Sequence, residues 1–176
     1  KVRLAIGFTD LQQDLIRDGI DLAIRIGDLQ DSALKYRRLF DMQRTLVVAA
    51  SIAKRHDRPR SPEDLRQWDW IGLKMRPFNK VLVDGSGNRR QIDYQPRIVV
   101  DSLEAVCRFA IAGMGLASPP GFMVEPALAS GELVEPLEGW DVESLGVYGV
   151  WPANATRESL SHRMLSFLHQ RRQPSC

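Results

Sequence analysis

Short aliphatic runs alternate along this chain with capped helical patterns, and that alternation limits the possible folds more than any single motif. Val2-Arg-Leu-Ala-Ile-Gly-Phe8 reads as a strand. Thr9 and Gln12 then have the spacing of a capping box, which opens a helix from Leu11 to Asp18 that stops at Gly19. Ile20-Asp-Leu-Ala-Ile-Arg-Ile26 follows as a second strand, closed by Gly27. Strand, helix and strand within about 27 residues is the spacing of a parallel crossover. Thr45-Leu-Val-Val-Ala-Ala50 is continuously apolar, as strands buried on both faces are. Ser61-Pro-Glu-Asp-Leu65 is a helix start, with serine at the cap and proline in the first turn.

The second half repeats the alternation. Trp70–Leu73 and Val81–Val83 read as strands, and Gly85-Ser-Gly87 as a turn into a return strand from Arg89 to Val100, interrupted by Pro96. Asp101 and Glu104 have capping-box spacing, and Leu103, Val106, Cys107, Ala110, Ile111 and Met114 share a helical face that ends at Gly113. A short strand Leu116–Ser118, a helix Phe122–Ala129, a run Leu133–Leu137, a strand Leu145–Trp151 and a last helix Thr156–Gln170 complete the order. The expected class is α/β with largely parallel sheets.

Composition excludes several functions. The 24 Lys and Arg nearly balance 22 Asp and Glu, and a net charge of +2 is too small for a segment that binds nucleic acid by itself. Arg37-Arg38 and Arg171-Arg172 read as solvated element edges. No apolar run reaches the ~18–20 residues of a membrane span, so no membrane partner is expected. Cys107 falls in an apolar helical pattern and Cys176 is the last residue; no bridge between them is suggested, and a reducing compartment fits.

Catalytic and metal-binding signals are weak. His56 lies in a charged stretch, and His162 and His169 share a helix face without Cys, Asp or Glu at ligand spacing. Gly113-Met-Gly115 follows a helix and precedes a strand, the reverse of a phosphate loop, so ending the helix accounts for Gly113. No nucleophile has a nearby base. The expectation is no catalytic residue, no metal and no cofactor.

An ordered set of segments resembles the effector-binding domain of LysR-type transcriptional regulators. It comprises Asp21-Leu-Ala-Ile-Arg-Ile-Gly27 with Leu29, Asp31-Ser32, Leu34 and Arg38-Leu39, then Leu46-Val-Val-Ala-Ala-Ser51 followed by Ser61-Pro-Glu-Asp-Leu65. Trp68–Ile71, Val100-Asp101, Ala112-Gly-Met-Gly-Leu-Ala117 and Gly131-Glu-Leu-Val134 complete it. Ser51-Ile-Ala-Lys-Arg-His56 departs from the pattern, being shorter and polar where the family often has a proline and a tyrosine-leucine pair.

The resemblance implies a two-lobed fold like that of type 2 periplasmic binding proteins, with lobes joined by two crossing strands and the ligand held between them. Residues 1–46 with 146–176 would form the first lobe, and 47–145 the second. It also implies that the domain's first strand and helix, and a DNA-binding winged helix-turn-helix, precede Lys1. The implied protein is a cytoplasmic homo-dimer or homo-tetramer that senses a small-molecule effector. A solute-binding protein of a transporter shares the fold and is the alternative; an enzyme on the same fold ranks below both.

Candidate effector contacts lie at strand ends and helix starts. Thr9 is either a plain cap or a cap that also faces a carboxylate, since helix N-termini favour anions. Asp101 would repel an anion, so capping is favoured for Asp101 and Ser102. Arg25 can pair a ligand carboxylate through its two-pronged guanidinium, or form an ion pair with Asp28. Leu73, Lys74 and Met75 end a strand where the family lines its cleft, although Lys74 also suits exposed surface. Pro119 and Trp151 either wall the site or merely close their strands. Arg25 and Lys74 together point to an anionic effector, a carboxylic acid.

Overall fold

In the computed structural model, residues 3–11, 13–27, 29, 34–154 and 160–170 are described, His169 and Gln170 by their backbone only. The chain divides into two compact units, one of residues 13–42 with 144–176 and one of residues 1–12 with 43–143. The chain passes between the units three times, between residues 12 and 13, inside β2 (Leu34–Arg44) and inside β9 (Trp140–Pro152); β2 and β9 pair with each other.

The larger unit is built on a sheet whose central strand is β4 (Trp70–Leu73). It runs parallel to β7 (Pro96–Val100) on one side and to Leu116 on the other. Ala117 bridges Val47 antiparallel, and β3 (Val48–Ala49) pairs antiparallel with β8 (Leu133–Val134). Alternate residues of these strands enter two cores. Leu46, Val48, Trp70 and Leu116 face one, with Leu65, Trp68, Leu82 and Ile92. Val47, Ala49, Ile71 and Ala117 face the other, with Val106, Cys107 and Ala110 of α2 (Leu103–Ile111) and Val124 and Ala127 of α3 (Gly121–Ala129). Burial on both faces is why the apolar run at Thr45–Ala50 is continuous. A four-residue helix, α1 (Ala50–Ala53), follows β3, and a hairpin of β5 (Asn79–Asp84) and β6 (Arg89–Asp93) pairs with the start of β9.

In the smaller unit β1 (Ala23–Ile26) pairs antiparallel with β9, Ala23 opposite Val150. Leu15, Leu34 and Val150 form one core cluster, and Leu39, Trp151 and Leu165 of α4 (Leu160–Gln170) another.

Several expectations are corrected. Residues 3–8 form no strand and are exposed, Phe8 at 95%. A strand is stable only with a ladder partner, and among the described residues this segment has none, so β1 takes an antiparallel partner and no parallel crossover forms. The helix expected from Leu11 is a single turn over 15–19. Asp14 Oδ1, not Thr9, accepts the N–H groups of Ile16 and Arg17, while Gly19 does end it at φ +64°. The cap of α2 is Ser102, not Asp101: Ser102 is extended, its Oγ accepts from Ala105 N, and Glu104 pairs instead with Arg108. Ile111, the last residue of α2, and Met114 are exposed; Met114 follows the left-handed Gly113 (φ +73°), which turns the chain out of the helical stripe. The return strand from Arg89 breaks at Tyr94-Gln95, and Pro96, which lacks an N–H for the hairpin ladder, opens β7 in the other sheet. The 11-residue β2 was not expected; only Leu34 and Leu39 along it are buried, so Lys35-Tyr-Arg-Arg38 shows no alternation of core residues. The Ser61 start holds, as a 3-10 helix over Pro62–Gln67 in which Asp64 accepts from the backbone N–H groups of Arg60 and Ser61. The expected start of the last helix, 156–159, lies outside the described residues.

Gly115 sits where a Cβ would stand 2.6 Å from the carbonyl oxygen of Asp69, a backbone atom pinned by its bond from Leu116 N. Gly115→Ala is expected to destabilise the larger unit by about 1–3 kcal/mol in urea denaturation, whereas Met114→Ala, on an exposed side chain, should stay within about 0.5 kcal/mol.

Candidate functional site

The parallel pairing of β4 and β7 brings five of the candidate residues together. Leu73 lies opposite Val100, and Lys74 N donates to Val100 O at 2.7 Å, so Leu73, Lys74 and Met75 stand beside Asp101 and Ser102. Leu73 packs on the core below, whereas Lys74 and Asp101 are exposed. The first N–H of α2, Leu103 N, donates to Asp10 Oδ2 at 2.8 Å. That contact holds Thr9 near the helix start, where its Oγ1 accepts from Leu11 N and caps a turn, not a helix. Pro119 is buried and follows Ala117 at the same edge of the sheet; its carbonyl accepts from Thr45 N at 2.9 Å.

Two candidates belong to the smaller unit. Arg25 Nη2 donates to Gln13 O at 2.7 Å, and the alternative partner Asp28 lies outside the described residues. Trp151 is 6% exposed; its ring meets His162 edge-on at 5.0 Å, and its Nε1 has no hydrogen-bond partner among the described residues.

Sequence reasoning missed a cationic group beside the first set. Arg76 N donates to Leu73 O, which folds Arg76 back over the end of β4. Arg44 bridges Pro120 at the end of β2, and its Nε and Nη2 both donate to Glu143 O, at 3.0 and 2.5 Å. Lys80, second in β5, donates to Asn79 O at 3.0 Å, with its Nζ 5.1 Å above the Tyr94 ring. Tyr94 stacks on Trp70 at 4.2 Å and leans on Phe78. Burial, then Arg44 and Arg76, push Lys80 down to about 8. Burial and Arg76 also lower Arg44, against the pull of Glu143. Burial pushes the Tyr94 hydroxyl up to about 12. The signal was available: Arg44 adjoins the longest apolar run, and Lys80 immediately precedes Val81-Leu-Val83.

The fold is that of the type 2 periplasmic-binding-protein class in the form used by regulatory domains. The chain aligns with the regulatory domain of the C227S variant of AphB from Vibrio vulnificus at a TM-score of 0.73 and 20% identity, covering 92% of this chain and 79% of that one. It aligns with the regulatory domain of CrgA, a LysR-type transcriptional regulator from Neisseria meningitidis, at 0.71 and 24%, covering 92% and 81%. The LysR substrate binding domain profile matches residues 1–173, and the chain belongs to that family. In sequence it is similar to the HTH-type transcriptional regulator PtxR of Pseudomonas aeruginosa, 29% identical over 87% of this chain and 49% of that protein. The HTH-type transcriptional activator AaeR of Escherichia coli is 33% identical over 78% of this chain and 45% of that protein. The chain thus spans about half the length of these relatives.

Lys80 makes stability depend on pH. Between about 8 and its ordinary 10.5, the unfolded chain keeps a proton that the folded chain has released, so folding gains stability as pH rises. Tyr94 opposes this only above its ordinary 10.0. The melting temperature is expected to rise by about 3 °C from about pH 7.5 to about pH 9.5, and by less than about 1 °C in Lys80→Met. Differential scanning calorimetry at the two pH values checks this.

Proposed function

We propose that this chain is the sensing part of a transcriptional regulator, which binds a small carboxylate and thereby biases how a DNA-binding segment of the same polypeptide holds its operator. The observation that carries this reading is the family match over residues 1–173, in company with regulators that carry a helix-turn-helix. The solute-binding alternative finds no support in these relatives. The chain acts by binding and not by catalysis, without metal or cofactor. The assembled protein works in the cytoplasm as a homo-oligomer; among the described residues no helix is long and apolar enough to cross a membrane.

The mechanism is a population shift. An effector that binds one conformation of the domain more tightly moves the equilibrium toward it by the difference in affinity, about 1.4 kcal/mol per tenfold. In the larger unit, Leu73, Lys74, Met75, Asp101 and Ser102, with Thr9 and Pro119 along the same edge, are assigned to effector contact. Arg25 is assigned to the carboxylate and Trp151 to the apolar body of the ligand.

A thermal-shift screen of carboxylates on the wild type and Arg25→Ala tests the assignment. At about 100 times Kd a true effector raises the melting temperature by roughly 5–10 °C, with at least half of that lost in Arg25→Ala. Equal shifts in both remove Arg25 from the site. A saturating binder that leaves the operator affinity of the intact gene product unchanged removes the regulatory reading.

A further inference from the structure

We infer that the exposed loop from Lys54 to Arg60 is a contact surface for the phosphate backbone of DNA held by the same polypeptide. The inference rests on the regulatory reading above and concerns residues to which that reading gives no role.

Charge sets this loop apart in the sequence. Lys54-Arg-His-Asp-Arg-Pro-Arg60 holds four Lys or Arg and one acid, a net +3 that exceeds the +2 of the whole chain. The remainder of the chain is therefore slightly acidic, and the excess positive charge is gathered at one place. Three of the four cations are arginines, whose planar guanidinium meets phosphate oxygens two at a time. A net charge of +2 does not hold DNA unaided, but a segment tethered to a DNA-binding one meets DNA at high effective concentration. A few phosphate contacts then add measurable affinity.

The fold anchors the loop and leaves its charges outside. Arg55 N donates to Ile52 O and His56 N to Ala53 O, which extends the turn of α1. The His56 ring then stacks on Trp68 with centroids 4.4 Å apart, and Pro59 and Pro62 are buried. Asp64 Oδ2 accepts from the backbone N–H groups of Arg60 and Ser61 and so fixes the far end of the loop. Lys54, Arg55, Arg58 and Arg60 are all exposed. Arg58 pairs with Glu138, but both side chains are more than three-quarters exposed, at 76% and 83%, and water screens such a pair enough for another anion to replace it. Lys54, Arg55 and Arg60 form no ion pair among the described residues. The loop joins β3 to the 3-10 helix before β4, at the amino end of β4, whereas Leu73–Met75 and Asp101–Ser102 stand at the carboxyl end. DNA on the loop therefore leaves the candidate effector contacts of this unit uncovered.

The test is fluorescence anisotropy of the intact gene product on a labelled duplex of mixed sequence, about 60 base pairs long, between about 50 and 200 mM salt. The loop variant is Lys54→Gln with Arg55→Gln and Arg60→Gln, and the charge-keeping variant is Lys54→Arg with Arg55→Lys and Arg60→Lys. A control removes the same charge from the smaller unit, Arg17→Gln with Lys35→Gln and Arg37→Gln. Neutralising the loop is expected to make log K against log salt shallower by about 2–3 and to weaken binding at about 0.1 M salt by about tenfold or more. The charge-keeping variant should match the wild type, which separates lost charge from lost folding, and the control should change the slope by less than about 0.5. An unchanged slope in the loop variant overturns the inference, as does an equal loss in the control. A loop variant that binds the duplex like the wild type but loses binding to poly-glutamate overturns it in favour of an acidic protein surface. A wild type that binds no duplex fails the regulatory reading and the loop together. If the variants behave as expected while saturating effector leaves operator affinity unchanged, the loop assignment stands and the sensing reading fails.

Discussion

Trp70 and Ile71, adjacent on β4, enter opposite cores of the larger unit, and the rest of that unit is arranged around the strand that carries them. Trp70 is fully buried, its Nε1 donates to Leu65 O at 2.8 Å, and its ring stacks on Tyr94. The indole thus ties the 3-10 helix to the strand and covers the aromatic floor below Lys80. Because β4 has parallel neighbours on both sides, its carboxyl end, the start of α2 and the Pro119-Pro120 segment come out along one edge. The candidate site of this unit follows from that pairing; none of its members is adjacent in sequence to all the others.

The same edge concentrates charge. Lys80 and Arg44 are partly buried there, and Arg76 disfavours the charge of both. Burial raises the cost of each charge, and proximity adds repulsion.

Local signals were legible where local chemistry decides. Gly19 and Gly113 end their helical turns because left-handed backbone suits glycine, and Ser61-Pro62 opens a helix because its cap needs no distant partner. Cys107 is buried in α2 as its helical position implied. Leu73–Met75 and Asp101–Ser102 were recognisable singly as strand end and helix start. Signals that depend on a partner failed: the run Val2–Phe8 has the composition of a strand, yet its described part, residues 3–8, pairs with nothing among the described residues, and β2 pairs with β9 despite lacking the pattern of one.

By itself the sequence determined the α/β class, the order of most elements and the family, because cap chemistry, apolar periodicity and the spacing of short segments are properties of neighbours along the chain. Only the tertiary structure decided that β1 is antiparallel, that Pro96 sends β7 into another sheet, and that Ser102 caps α2. It alone joined Leu73 to Val100 and set Lys80 over the Tyr94 ring. Ladder partners and electrostatic neighbours lie up to tens of residues apart, and no local preference encodes which of them meet.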